Sequence, residues 1–352
     1  MAAARIGIVG GYGQVGRAAA AHLAAWGLPP ALVGGRDPVR TARAAERVGA
    51  RPAQVDVTDP GAVKEFCASC DVVVNCAGPA RTIGAAVARA ALACGTGYVD
   101  AAGDDPLHAE LRALPWTGDA PAIVSAGMMP GLSGLLPRLL ARDVPNPVSL
   151  RGYVGGLDTF TRTAAADYLG AAEAGYGSAL SAWRGGVTVR GMRSRDGVRL
   201  RSVADSFYAL PYLSTETERL ARSLGVADAD WWSIFAGDRV PAALAAGADV
   251  ERLCAAARLD LFGRDRFQVL AADLTGPGGT VCAVLRAGGA SELTGAVAGL
   301  AALAITRDLV PAGVHHLAEA LDPVWAFDLL GSVTSLFRAD GPVDVLDEEG
   351  AL

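Results

Sequence analysis

The segment Gly97-Tyr98-Val99-Asp100-Ala101-Ala102-Gly103-Asp104 runs from a short apolar strand into a loop. It gathers a phenol, Tyr98, and two carboxylates, Asp100 and Asp104, that can do acid–base work. A carboxyl can protonate a nitrogen or hold its positive charge, and a phenol can donate to an oxygen or nitrogen. The alternatives are a core role for Tyr98 and a loop-orienting role for Asp100. Asp105 and His108 read as the first turn of the next helix, where acids are favoured.

The reactive partner for these groups is indicated upstream. Ile6-Gly7-Ile8-Val9-Gly10 leads into Gly11-Tyr12-Gly13-Gln14-Val15-Gly16 and then into an alanine-rich run from Ala18 to Trp26. That order is strand, tight turn, helix, the setting in which a G-x-G-x-x-G stretch holds a dinucleotide pyrophosphate on a helix N-terminus. The second strand, Ala31 to Gly34, ends at Gly35-Arg36. Here NAD-binding versions carry an acid for the ribose hydroxyls. A glycine leaves room, and Arg36 can pair bidentately with a 2′-phosphate, which favours NADP. Asp37 as a ribose ligand is the competing possibility. Asp56 and Val57, after the third strand, join the expected cofactor contacts. So does Asn75-Cys76-Ala77-Gly78-Pro79, at the carboxyl end of the fourth strand.

The elements that would position these residues alternate regularly. Strands near 54–56, 71–75, 98–100 and 122–125 are separated by helices over 38–48, 60–66, 82–94 and 106–114. This is the pattern of a parallel sheet with right-handed crossovers. From Arg151 the alternation stops. A hairpin over 187–201 turns at Asp196-Gly197, with Arg190, Arg199 and Arg201 on one face and Arg193 and Arg195 near the turn. The arginines read as a solvated face, or as a docking surface for an acidic partner. Trp231 to Phe235 reads as a core strand, and 267–274 with 281–286 as a second hairpin. Leu293 to Ile305 reads as a buried helix. His315 and His316 are assigned to a surface helix, 323–336 to a further helix, and the acidic tail from Asp340 to loose chain.

Taken together, Gly10 to Gly16, Gly35-Arg36, Val74 to Pro79, Gly97 to Asp104 and Ala126-Gly127-Met128-Met129-Pro130-Gly131-Leu132-Ser133 resemble the saccharopine dehydrogenase-like family of NADP-binding reductases. The likeness holds in order and spacing to about residue 140, with a weaker echo between Arg266 and Leu309. It implies an α/β fold: a Rossmann doubly wound parallel sheet with a second α+β mixed-sheet domain inserted before the C-terminal segment. The expected partition is 1–127 for the NADP-binding domain, 128–309 for substrate and dimerisation, and 310–352 returning to the Rossmann domain. The resemblance implies NAD(P)-linked chemistry at C–N bonds, with some relatives reducing C=C bonds on carrier- or lipid-linked substrates. Met128, Met129 and Gly131 fall where substrate would be bound. The family often has an aromatic and an Asp before Pro-Gly, so Met128-Met129 implies a less polar substrate.

Composition narrows the field. Of 352 residues, 51% are hydrophobic and 19% charged, which suits a globular two-domain chain. A net charge of -6 argues against a nucleic-acid binder. No apolar run is long enough to span a membrane, and the N-terminal apolar stretch reads as fold and not as signal. Lys64 is the single lysine, so lysine chemistry elsewhere is excluded. Cys67-x-x-Cys70 lacks a second pair at ligand spacing and reads as structural, so no metal is expected. The six cysteines fit a reducing cytoplasm. The reading is a cytoplasmic, homodimeric NADPH-dependent oxidoreductase of secondary metabolism that reduces an imine of a small metabolite. The alternatives are reduction of a conjugated C=C bond on a carrier- or lipid-linked substrate, and a non-catalytic NADP-binding sensor.

Overall fold

The computed structural model describes residues 4–114 and 120–345. Contacts divide the chain into two compact units, one built from residues 1–132 and 291–333 and the other from 133–290 and 334–352.

The first unit opens with β1 (Ile6–Val9), α1 (Gln14–Ala25), β2 (Leu32–Gly35), α2 (Pro38–Glu46), β3 (Arg51–Gln54) and α3 (Pro60–Ala68). It continues with β4 (Val72–Asn75), α4 (Ala80–Ile83), α5 (Ala86–Ala93), β5 (Gly97–Asp100), α6 (Asp105–Arg112) and β6 (Pro121–Val124). β1, β2, β4 and β5 are buried along their whole length, as strands covered on both faces must be. The helix expected over 82–94 is split into α4 and α5, because Gly84 takes a left-handed φ of 53° between them. Prolines open α2 and α3, and Asp37 and Asp59 cap them.

The second unit follows with α7 (Leu132–Leu140), β7 (Ser149–Leu157), α8 (Arg162–Gly170), β8 (Gly177–Ala179), β9 (Ser181–Arg184) and β10 (Val187–Arg190). Then come β11 (Arg195–Leu200), β12 (Ser206–Ser214), α9 (Thr215–Leu224), β13 (Asp228–Phe235), α10 (Arg239–Ala245), α11 (Val250–Leu261), β14 (Phe267–Gly276) and β15 (Gly279–Ala287). The expected hairpin over 187–201 does not form. β10 pairs instead with β9 across Gly185-Gly186, both at positive φ, as a tight hairpin turn requires. Asp196-Gly197 is a bulge inside β11, where the register against β12 shifts.

The chain returns to the first unit through α12 (Ala290–Thr306), β16 (Gly313–His316), α13 (Leu317–Ala320) and α14 (Pro323–Leu330). It ends in the second unit with β17 (Thr334–Asp340) and β18 (Asp344–Val345). Two boundaries therefore differ from the expected partition. α12 belongs almost wholly to the first unit because Gly295 lets it lie on α1; a Cβ there would stand 2.6 Å from Val15 O. β17 belongs to the second because it pairs with β15 over seven residues. That pairing also ends the helix expected to run to 336.

The first unit is a seven-stranded parallel sheet in the order β16-β6-β5-β4-β1-β2-β3. Its chain reversal lies between β1 and β4, the point where open parallel sheets bind ligands. The second unit is an eleven-stranded mixed sheet with the path β17-β15-β14-β7-β13-β12-β11-β18. β17 and β18 stand at opposite ends of that path, yet only Gly341 to Val343 separate them. The four chain steps from Asp340 to Asp344 reach about 14 Å at most, so the sheet curls until its two ends meet. Tyr153, Phe207, Trp232, Val269 and Val284 pack within this curl. The tail read as loose is thus anchored up to the last described residues. Asp344 is 4% exposed and binds Arg151 at 2.5 Å, Tyr153 OH at 3.2 Å and Arg195 at 3.3 Å. Residues of the tail beyond 345 lie outside the described residues.

Candidate functional site

The glycine turn is shaped by close approach. Gly10 takes φ +74°, and a Cβ there would meet Ala77 N at 2.7 Å. A Cβ on Gly16 would meet Gly10 O at 2.5 Å, so α1 touches the turn without a spacer. Gly13 caps α1 with no side-chain hydrogen bond, and the first turn carries no acid. Gln14, Val15 and Gly16 therefore start a helix whose N–H groups and positive dipole end suit an anion. The cradle fits a dinucleotide pyrophosphate. Gly10, the residue just before the G-x-G-x-x-G run, is the one with the left-handed backbone.

At the end of β2, Gly35 backs onto the Tyr12 ring; a Cβ would stand 2.4 Å from Tyr12 Cε1. Arg40 lies 4.4 Å over that ring. Arg36 is exposed, with no hydrogen bond from its guanidinium among the described residues. Asp37, the competing ribose ligand, accepts the N–H groups of Val39 and Arg40 at 3.0 Å each. Its Oδ1 is committed to capping α2. Asp56 is similarly committed to its own turn, accepting Thr58 N at 3.0 Å and Thr58 Oγ1 at 2.8 Å, and those bonds hold its carboxyl below the usual range. Val57 leans on the core.

Past β4, Asn75 is buried. Its amide donates to Asp100 Oδ2 at 3.0 Å and its oxygen accepts Ala77 N at 3.2 Å. Cys76, Ala77, Gly78 and Pro79 remain partly exposed along the turn, and burial pushes the Cys76 thiol up. Asp100 also accepts Tyr98 OH at 2.5 Å and Ala102 N at 2.9 Å. Tyr98 is fully buried among Leu107, Leu111 and Val124. Burial first, then the nearby Asp100 charge, drives its phenol well above the ordinary range. Burial also raises Asp100, against the pull of its donors. The structure therefore gives Tyr98 a core place and Asp100 a loop-holding one, instead of presenting either to a ligand.

Asp104 goes elsewhere. It is 3% exposed and meets Ser125 Oγ at 3.4 Å and His316 Nδ1 at 3.9 Å. Ser125 Oγ lies 3.1 Å from His316 Nδ1, and Asp105 Oδ1 lies 3.0 Å from His316 Nε2. The His108 ring stacks on His316 at 4.1 Å. The surface-helix assignment of His316 is thus overturned. It ends β16, whose parallel register sets it beside Val124, and it is 1% exposed. His315 is only partly exposed, its Nε2 near Pro311 O at 3.1 Å. Ser125, His316 and Asp105 escaped the sequence reading. The one local signal was His315-His316 following an apolar pair, which also suits a strand end.

Of the three residues expected at substrate, Met128 and Met129 are partly exposed on a loop closed by Gly127 N to Pro130 O at 3.1 Å. Met128 N also donates to Thr294 Oγ1 at 3.3 Å. Gly131 is buried, and a Cβ there would lie 2.1 Å from Ser125 O. It shapes the loop and offers no surface to a ligand. Cys67 and Cys70 are buried free thiols, each pushed up to about 12 by burial, in keeping with a structural role.

Residues 6–122 match the family model described as the saccharopine dehydrogenase NADP binding domain. The first unit carries a saccharopine dehydrogenase-type NADP-binding domain. The whole fold is similar to saccharopine dehydrogenase (L-Glu forming) from Saccharomyces cerevisiae, at TM-score 0.71 and 14% identity, over 96% of this chain and 100% of that one. A probable dehydrogenase from Thermotoga maritima aligns at TM-score 0.50 and 11% identity, over 94% and 95% of the two chains. At these identities the likeness concerns fold alone. A stretch of 68 residues is 40% identical to shikimate dehydrogenase (NADP(+)) from Aeropyrum pernix. That stretch is 19% of this chain and spans only 25% of that relative's length. Among the described residues, no helix is long and apolar enough to cross a membrane.

Proposed function

We propose that this protein is an NADPH-dependent reductase of a small C=N substrate. The observation behind this reading is the pairing, at one carboxyl edge of the parallel sheet, of an open anion cradle with an acid network. Arg36 is free to meet a 2′-phosphate, while Asp37, which would favour NAD, is committed to capping α2. A charge-assisted pair of this kind is worth about 1.5–3 kcal/mol, roughly ten- to hundredfold in affinity. The bound nicotinamide would supply the hydride. The residues of the chain bind, orient and supply the proton. Carboxylates near the nicotinamide end suit a substrate that is cationic when protonated, as an imine is. Met128 and Met129 suit an apolar substrate flank.

A second reading is reduction of a conjugated C=C bond on a carrier-linked chain, favoured by Arg190, Arg193 and Arg199, which stand exposed on the second unit. Stopped-flow oxidation of NADPH and NADH by cyclic imines and by enoyl thioesters tests both. We expect turnover with imines, and NADPH preferred at least about tenfold. Turnover of enoyl thioesters alone would transfer the assignment to the second reading. Tight NADPH binding without turnover of either class would make the protein a sensor.

A further inference from the structure

Asp105, His316, Ser125 and Asp104 stand in series. Asp105, on the first turn of α6, has a side chain 38% exposed and faces His316 Nε2 at 3.0 Å. The opposite ring nitrogen meets Ser125 Oγ at 3.1 Å, and that hydroxyl meets Asp104 Oδ1 at 3.4 Å and Gly103 O at 3.0 Å. Ser125 and Asp104 are both buried. The series thus runs from solvent into the interior, at the carboxyl ends of β5, β6 and β16.

We propose that these four residues form a proton relay that serves the nicotinamide end of the cofactor site. The proposal rests on the reductase reading for the proton's destination. Each step balances. Asp104, as the acid, gives its proton to the nitrogen of the C=N group while carbon takes the hydride. Ser125 returns a proton to Asp104 and takes one from His316 Nδ1. His316 regains it at Nε2 from Asp105, which exchanges with water, and rotation of the imidazole restores its Nδ1–H before the next turnover. NADPH is oxidised, the imine is reduced, and one solvent proton is consumed.

Two features separate a relay from the obvious alternatives. Asp104, Asp105 and His316 bring ligand-type atoms within 4.8 Å of one another, as a metal site would. Yet Asp105 stands at Nε2, while Asp104 and Ser125 stand toward Nδ1, so the closest contacts are divided between ring nitrogens that point apart. A metal needs the donors to converge on one point about 2.0–2.2 Å from each. A purely structural network would resemble the one at Asp100, whose three bonds come from an amide, a phenol and a backbone N–H. Here every link is a group that gains and loses protons or rotates to pass them. The stacked His108 ring, Asp104 and Asp105 are the titratable groups seen facing His316.

The four histidines, His22, His108, His315 and His316, make the test direct. Imidazole ¹⁵N shifts of the full chain are followed against pH, with and without saturating NADP⁺. We expect NADP⁺ to move the His316 midpoint by about half a pH unit or more, with His22 and His315 unmoved. Ser125→Ala should abolish that response, and Asp105→Asn should shift His316 without altering NADP⁺ affinity. With 2-methyl-1-pyrroline as probe, His316→Gln should lower kcat about a hundredfold and leave the KM for NADPH unchanged. A His316 midpoint indifferent to NADP⁺ overturns the relay, whatever the activity. Stoichiometric Zn²⁺ binding that moves His316 and cancels the NADP⁺ response overturns it in favour of a metal site. An intact NADP⁺ response with no imine turnover overturns the reductase reading and upholds the link between His316 and the cofactor site.

Discussion

Asp100 and Asp104 lie four positions apart on one loop, both nearly sealed from water, yet their surroundings differ in kind. Asp100 is held by three neutral donors, and the two side chains among them, Asn75 and Tyr98, are themselves buried. Asp104 sits at the inner end of a series that includes a serine, a histidine and a half-exposed aspartate. The same contrast recurs at the end of β2, where Asp37 is committed to capping a helix and Arg36 reaches solvent. In each pair the committed group builds the structure, and its neighbour is left available for chemistry. A carboxylate's role follows from its partners more than from its burial.

The comparison can be broken by substitution. Asp100→Leu leaves a phenol, an amide and a backbone N–H without their acceptor, at roughly 1–3 kcal/mol each. A loss of about 3–5 kcal/mol in urea unfolding is expected. Asp104→Asn keeps hydrogen-bonding capacity and should cost about 1 kcal/mol. An equal cost for the two would erase the distinction. Next in size, Arg36→Ala should weaken NADPH binding about ten- to hundredfold by calorimetry, with unfolding and NADH affinity unchanged. Equal losses for both cofactors would show that Arg36 does not read the 2′-phosphate.

The pH dependence follows from Asp100. Burial holds its folded pKa above the ordinary carboxylate value of about 3.9. Above that ordinary value the unfolded chain has released the proton while the folded chain still keeps it. Its contribution to stability therefore falls as pH rises from about 4 through the raised value. Asp100→Asn should flatten that part of the unfolding profile, and an unchanged slope would place the titration elsewhere. Asp37→Ala should cost about as little as Asp104→Asn, about 1 kcal/mol, from the lost helix cap. It should not improve NADH binding; if it does, the carboxylate was not committed to the helix.

Much of the first unit was legible in advance. The strand-turn-helix at Gly10 to Gly16, the continuous apolar strands and the prolines opening α2 and α3 are local signals, each written within a dozen residues. The candidate cofactor residues came from the same local grammar. The candidate chemistry was half legible, because Asp104 was singled out but its partners were not. Ser125 and His316 are 191 positions apart, and nothing local to either residue signals the other. The Asp196-Gly197 turn signal misled because Gly185-Gly186 offered the better geometry and β11 had β12 to pair with.

The sequence by itself determined the parallel nucleotide-binding sheet, its glycine cradle and the charged end of β2, since turn chemistry and hydrophobic periodicity act over short stretches. Tertiary structure alone decided that α12 rests on α1, that β17 and β18 close the curled sheet, and that His316 meets Asp105. Those outcomes depend on strand register and helix packing between distant segments, where a residue's neighbours are set by the fold and not by its place in the chain.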